Sequence, residues 1–86
     1  MGASQTREIK LMVPEKVLLA DKADEAGFAR ELRMLAAVKL YELGRLSSGR
    51  AAELAGLSRV EFLLSLERYK VFPLQSELED LEAQLD

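Results

Sequence analysis

The sequence contains no cysteine, no histidine and no tryptophan. Without cysteine the chain can form neither disulfides nor thiolate metal sites, which fits a reducing compartment, and we expect a cytoplasmic protein. Without histidine it lacks the side chain that most often serves as a general base or a metal ligand. We therefore expect no enzyme, no metal, no cofactor and no small-molecule substrate.

Long apolar runs are missing as well. No stretch approaches the roughly 20 residues that a transmembrane helix needs, and residues 1–6 have neither the charge nor the apolar block of a signal peptide. We expect a soluble protein without a membrane partner. A chain of 86 residues buries only about 60–65% of its extended surface. Its stability as a monomer would be marginal, so we expect self-association, as a homodimer.

Negative charge is concentrated at one end of the chain. Residues 1–72 carry twelve basic and ten acidic side chains, whereas residues 73–86 carry five acidic side chains and no basic one. We therefore divide the chain into a body, residues 1–72, and an acidic tail, residues 73–86. A mildly basic body is compatible with binding a polyanion, and the acidic tail is not.

Residues 46–62, which we call the corner, predict two short helices joined by a tight turn. Ser47 or Ser48 can cap the first helix, whose apolar face consists largely of alanines. Gly56 can end that helix in the left-handed conformation, which strains other residues. The pattern favours a helix-turn-helix.

The second helix of the corner begins with a capping box, in which Ser58 and Glu61 each bind the other's backbone amide. The spacing from Ala52 through Gly56 to Ser58 is similar to that of DNA-binding helix-turn-helix units. An ordinary helical corner that binds no nucleic acid is the alternative.

Six side chains in and around the corner are candidates for DNA binding. The cations among them could neutralise phosphates with modest affinity, which a dimer would double. The predicted outward face of the second helix is a poor set for reading bases, because beside Glu61 it holds one serine, Ser65, one arginine, Arg68, and the apolar Leu64. The candidates are Arg45, Arg50, Arg59, Ser65, Arg68 and Lys70.

Alternating apolar residues predict a short strand over residues 7–13, with Ile9, Leu11 and Val13 on one face. Nothing later in the chain has the pattern of a second strand. We therefore expect this strand to pair with the same strand of another copy across a twofold axis.

Two helices are predicted between this strand and the corner. Pro14 begins a short one, and Asp21 or Asp24 caps a longer one that runs to about Leu43 and stops at Gly44. The longer helix is apolar on two sides, so we expect one side to face the core and the other a dimer or partner interface. The core side is predicted to hold Phe28, Leu32, Leu35, Ala36, Leu40 and Leu43, and the other side Met34, Ala37, Val38 and Tyr41.

The tail has the pattern of a short amphipathic helix, with Ser76 and Glu79 as a second capping box. A segment this short and this acidic scarcely holds a helix alone in water. We therefore expect the tail helix to fray until its leucines dock on a partner. Pairing with its twin as a short coiled coil and folding back on its own domain are the alternatives. The partner-binding candidates are Leu74, Leu78, Leu81 and Leu85.

The predicted fold is mainly α and dimeric. It consists of a short N-terminal strand, a helix-turn-helix bundle of three to four helices, and a C-terminal amphipathic helical tail.

From about residue 9 to residue 72 the chain resembles a family of small prokaryotic proteins considered to be VapB-like antitoxins, often encoded beside toxins of the PIN-domain ribonuclease kind. The resemblance rests on Val13-Pro14-Glu15 and on residues 40–47, 51–59 and 61–63. It implies a dimeric part that binds operator DNA and represses its own operon, and a C-terminal segment that wraps the toxin.

Two points qualify this comparison. The tail has no cation with which to neutralise the acidic centre of such a nuclease, a role that Arg68 or Lys70 could take instead. The uncharged Leu64 and Ser65 favour a second hypothesis, a protein-interaction module whose helix-turn-helix is architectural and binds no DNA.

Overall fold

The computed structural model describes residues 5–85, except for the side chains of Leu81, Gln84 and Leu85. This part of the chain is mainly helical. Its elements are α1 (Glu15–Asp21), α2 (Glu25–Glu42), α3 (Ser48–Ala55), α4 (Arg59–Ser65), a 3-10 helix (Leu66–Tyr69) that continues α4, and α5 (Gln75–Leu85). Within residues 5–85 no helix has the length and apolar character needed to cross a bilayer.

The predicted N-terminal strand is wrong, since residues 5–85 contain no strand. Residues 5–14 have no regular structure, and Ile9, Leu11 and Met12 are 81%, 68% and 96% exposed. A strand needs a neighbour to accept and donate its ladder of hydrogen bonds. The alternation of apolar residues would place their side chains on one face of a strand, but it does not supply a second strand to pair with.

The first residues of α2, α3 and α4 follow predicted caps. Asp24 and Ser47 accept the backbone amides three residues ahead, at 2.8 and 3.2 Å, and so begin α2 and α3. Both halves of the capping box between Ser58 and Glu61 are formed, at 2.9 and 3.1 Å. Gly56 ends α3 with φ 77°, in the left-handed region. Of the predicted alternatives, Asp24 caps α2 and Ser47 caps α3, and the predicted capping box and glycine stop of the corner are confirmed.

The core lies where α2, α3 and α4 meet. Ala51 and Ala52 of α3 are 0% and 2% exposed, and their small side chains let the neighbouring helices approach closely. The bulk comes from α4 and its 3-10 extension, where Phe62 and Leu66 are completely buried. Outside the core, Arg33 Nε of α2 donates to the carbonyl of Leu54 near the end of α3, at 2.9 Å.

The long helix α2 buries the face opposite to the one predicted. Ala37, Val38 and Tyr41 are buried, whereas Leu35 and Leu43 are 43% and 60% exposed. On this face Ala37 and Val38 share the core with the alanines of α3, and the ring of Tyr41 packs edge-on against Phe62 of α4. Periodicity identified two apolar faces on α2 but did not say which one α3 covers.

The N-terminal part of the chain is attached loosely. Helix α1 has no buried residue. Apolar side chains of residues 9–18 instead line an open cleft against Phe28 and Leu32 of α2. The organised centre of the molecule is therefore the corner, together with the second half of α2.

Candidate functional site

The candidate site lies where the corner meets the tail, and it is built around Arg59, the first residue of α4. The Nε atom of Arg59 donates a hydrogen bond to Oγ of Ser48, the first residue of α3, at 3.0 Å. Ser48 is only 2% exposed. The guanidinium is thus held across the corner by a buried hydroxyl group.

Helix α5 brings two carboxylates to the same guanidinium. The Nη2 atom of Arg59 lies 3.4 Å from Oδ2 of Asp80 and 4.0 Å from Oε1 of Glu77. The two acids are three residues apart, so they share one face of the helix. The side chain of Glu77 is 15% exposed and that of Asp80 is 63% exposed. Water therefore screens the contact with Asp80 far more than the contact with Glu77.

Tyr41 completes the site from the buried face of α2. Its hydroxyl group donates to Oε2 of Glu77 and accepts the backbone amide of Leu74, at 3.1 Å. Its ring packs edge-on against Phe62, with 5.7 Å between the ring centroids. The Glu77 carboxylate thus lies beside one residue from each of three helices: Tyr41 of α2, Ser48 of α3 and Arg59 of α4. We call these three residues the carboxylate site.

The electrostatics of the site favour an anion beside a neutral phenol. Burial raises the pKa of Glu77, but hydrogen bonds with Ser48 and Tyr41 and the charge of Arg59 lower it by more, so this pKa lies below the ordinary 4.5. Burial, followed by the hydrogen bond to Glu77, raises the pKa of Tyr41 above its ordinary 10.0. Near neutral pH the site therefore holds a charged carboxylate.

The predicted DNA-binding cations have different surroundings. Arg45, Arg68 and Lys70 are exposed. Arg50 is also exposed, and it pairs with Glu53 of its own helix at 3.0 Å. Among these cations, Arg59 is the one that pairs with described side chains of the tail.

The prediction that Ser65 faces outward is wrong. Ser65 is 8% exposed, and its hydroxyl group donates to the carbonyl of Phe62 at 2.8 Å. It lies three residues after the buried Phe62 and therefore on the same face of α4. Leu64, in contrast, faces outward and is 53% exposed.

The tail folds back on its own domain, one of the predicted alternatives, but it does so through polar groups. Leu74 and Leu78 remain 63% and 37% exposed, and the side chains of Leu81 and Leu85 lie outside the described residues. The predicted capping box of the tail is wrong, because α5 begins at Gln75 and places Ser76 inside its first turn.

Sequence reasoning missed three residues of this site, namely Tyr41, Ser48 as a hydrogen-bonding group, and Glu77. Tyr41 and Glu77 are 36 residues apart, so no local spacing connects them. One signal was available, since a tyrosine on a buried helix face needs a partner for its hydroxyl group. A second was the pair of acids at 77 and 80, on one face of the tail helix.

Comparison with known proteins places the whole chain in one family. Residues 4–86 match an uncharacterised protein family, UPF0175. A UPF0175 protein of Archaeoglobus fulgidus is 39% identical over 80 residues, which cover 91% of this chain and 86% of the relative. A UPF0175 protein of Aeropyrum pernix is 34% identical over 86 residues, covering 100% of this chain and 91% of the relative. No solved structure matches the chain. The chain belongs to the uncharacterised protein family UPF0175.

Proposed function

We propose that this protein is a dimeric, antitoxin-type transcriptional regulator, which represses its own operon through the corner and binds a PIN-domain ribonuclease toxin through the tail. The observation that carries the DNA-binding half is the position of Arg59 at the start of α4, directly after the turn at Gly56. The second helix of a helix-turn-helix contacts DNA with its N-terminal residues.

The charge of the body supports the same half of the proposal. Arg45, Arg68 and Lys70 lie exposed in and beside the corner. Each phosphate that such a cation neutralises releases a counterion and makes binding depend on salt. Two copies of the corner in a dimer would supply enough contacts for a specific duplex.

Binding of duplex DNA from the region upstream of the gene tests this half, measured by fluorescence anisotropy over a series of salt concentrations. We expect Arg59→Ala and Arg68→Ala each to weaken binding and to reduce the salt slope by about 1. Lys39→Ala is the matched control, since Lys39 is an exposed cation on α2 that pairs with Glu42 at 3.0 Å. Absence of binding at low salt, or equal effects of all three substitutions, would contradict the proposal.

The toxin-binding half rests on the leucines of the tail. Leu74 and Leu78 stay exposed while polar contacts hold α5 to the body. An amphipathic helix of this kind fits a partner with an apolar groove. Co-expression with the product of the adjacent gene tests this, with Leu74→Ser and Leu78→Ser expected to abolish co-purification. Leu64→Ser, at an exposed leucine of α4, should have no effect on co-purification.

The dimer is part of the proposal and has its own support. Two leucines of α2 leave apolar surface exposed, since Leu35 is 43% and Leu43 is 60% exposed. A second copy could cover such area. A mass measurement in solution tests whether the protein is a dimer. A monomer at micromolar concentration would contradict this part of the proposal.

A protein-interaction module with an architectural helix-turn-helix is the second candidate function. It is favoured by the outward face of α4, where Leu64 is exposed and Ser65 is buried. Such a face offers few polar groups for reading base edges. Purification of a stoichiometric protein partner from the native host, with no duplex bound at low salt, would support this function over the first.

A further inference from the structure

We propose that the carboxylate site, formed by Tyr41, Ser48 and Arg59, is a phosphate-binding site of the body, which the tail occupies with Glu77 until DNA displaces it. This inference rests on the proposed DNA binding and deepens it. It assigns a ligand class, the phosphodiester group, to residues that the body itself supplies.

The chemistry of the site suits a phosphate oxygen as well as a carboxylate. A guanidinium group binds either anion through charge-assisted hydrogen bonds, and hydroxyl groups add further donors. Arg59 is already oriented by the buried Ser48, at 3.0 Å. The ring of Tyr41 is held within the body by its edge-on contact with Phe62, with 5.7 Å between the ring centroids. These donors therefore keep their positions when the anion is exchanged.

The tail is attached weakly enough to be displaced. Leu74 and Leu78 are 63% and 37% exposed, and no described side chain of α5 belongs to the apolar core or to the partly buried residues packed against it. The contact of Asp80 with Arg59 is open to solvent, with the acid 63% exposed. Elements with few buried apolar contacts open at low cost in free energy. A duplex that presents many phosphates can therefore compete with a single helix.

Occupation by the tail should weaken DNA binding in two ways. The site is available only in molecules whose tail is detached, which lowers the apparent affinity by that fraction. The acids of α5 also bring negative charge close to the corner, which repels the duplex. The acids with described positions are Glu77, Glu79, Asp80 and Glu82.

A pair of double variants separates these two effects in the full chain. Glu77→Gln with Asp80→Asn removes the acids that contact Arg59. Glu79→Gln with Glu82→Gln removes the same charge from the same helix, at acids that make no contact with Arg59 within the described residues. We expect the first pair to bind the upstream duplex about tenfold more tightly than the second. Equal affinities would overturn the proposal and leave the DNA function intact.

Hydrogen exchange of the α5 amides gives an independent measurement. In the wild-type protein, saturation with duplex should speed exchange over residues 75–85, because the tail leaves the site. Unchanged exchange at saturation would also overturn the proposal. Absence of DNA binding by the wild type and both double variants at low salt would instead remove the DNA function, and this site with it.

Discussion

The hydroxyl group of Tyr41 donates a hydrogen bond to Glu77, which joins the buried face of α2 to the first turn of α5. The same oxygen accepts the backbone amide of Leu74 at 3.1 Å. One side chain of the core therefore positions the tail at two points. The attachment of the tail is specific in geometry, although Leu74 itself stays 63% exposed.

Tyr41→Phe should detach the tail and leave the body folded. The substitution keeps the ring and its edge-on contact with Phe62, but it removes two hydrogen bonds, each contributing about 1 kcal/mol. We expect amide exchange in α5 to accelerate by tenfold or more, while the unfolding midpoint of the body changes little. Tyr69→Phe is the control, since its hydroxyl group makes no hydrogen bond within the described residues. Equal acceleration in both variants would contradict the role of Tyr41.

Docking of the tail should depend on pH through Glu77. Its pKa is lowered in the folded protein from the ordinary 4.5. A lowered pKa stabilises docking at pH values above about 4.5, and this stabilisation is lost as the pH falls through the lowered value. The chemical shift of the Leu74 amide, followed by NMR, should show this transition. Glu77→Gln should abolish the transition, and its persistence in this variant would contradict the role of Glu77.

The first residues of α2, α3 and α4 could be predicted from the sequence, because these boundaries depend on residues that are close along the chain. Asp24, Ser47 and Ser58 each accept an amide three residues ahead, and a reader of the sequence can find such pairs. The left-handed stop at Gly56 is equally local, since the residue's own backbone decides it. Local chemistry of this kind was sufficient to predict the corner.

Predictions that depended on tertiary contacts were wrong or missing. The strand over residues 7–13 needed a partner that the pattern did not provide. The buried face of α2 was decided by the alanines of α3, and the burial of Ser65 by the packing around Phe62. The carboxylate site joins residues of α2, α3 and α4, and its contact with Glu77 forms only once α5 has folded back.

Two glycines of the corner should respond in opposite directions to alanine. Gly56 has φ 77°, and a Cβ atom there would meet nothing within 4 Å, so the cost of Gly56→Ala is backbone strain alone. We expect a loss of about 1 kcal/mol in the free energy of unfolding. Gly49 lies inside α3 with equally open space and no left-handed φ. Gly49→Ala should therefore stabilise the protein by about 0.5–1 kcal/mol. Urea denaturation followed by circular dichroism measures both, and a loss at Gly49 would contradict the account.

Two lysines with left-handed backbones should differ because only one ends a packed helix. Lys70 has φ 60° and ends the 3-10 helix, where the amide of the next residue, the buried Val71, binds the carbonyl of Leu66 at 3.2 Å. Lys70→Gly relieves the strain of a side chain in this conformation and should raise the free energy of unfolding by about 0.5–1 kcal/mol. Lys22 has φ 55° but ends α1, which has no buried residue.

Because α1 can open without the core, Lys22→Gly should leave the unfolding of the body unchanged. Lys70→Ala completes the comparison, since it removes the same charge as Lys70→Gly but retains a Cβ atom. We expect Lys70→Ala to give no increase in the free energy of unfolding measured by urea denaturation. If Lys70→Ala stabilised the protein as much as Lys70→Gly, the gain would come from the lost charge, and backbone strain at Lys70 would not be its cause.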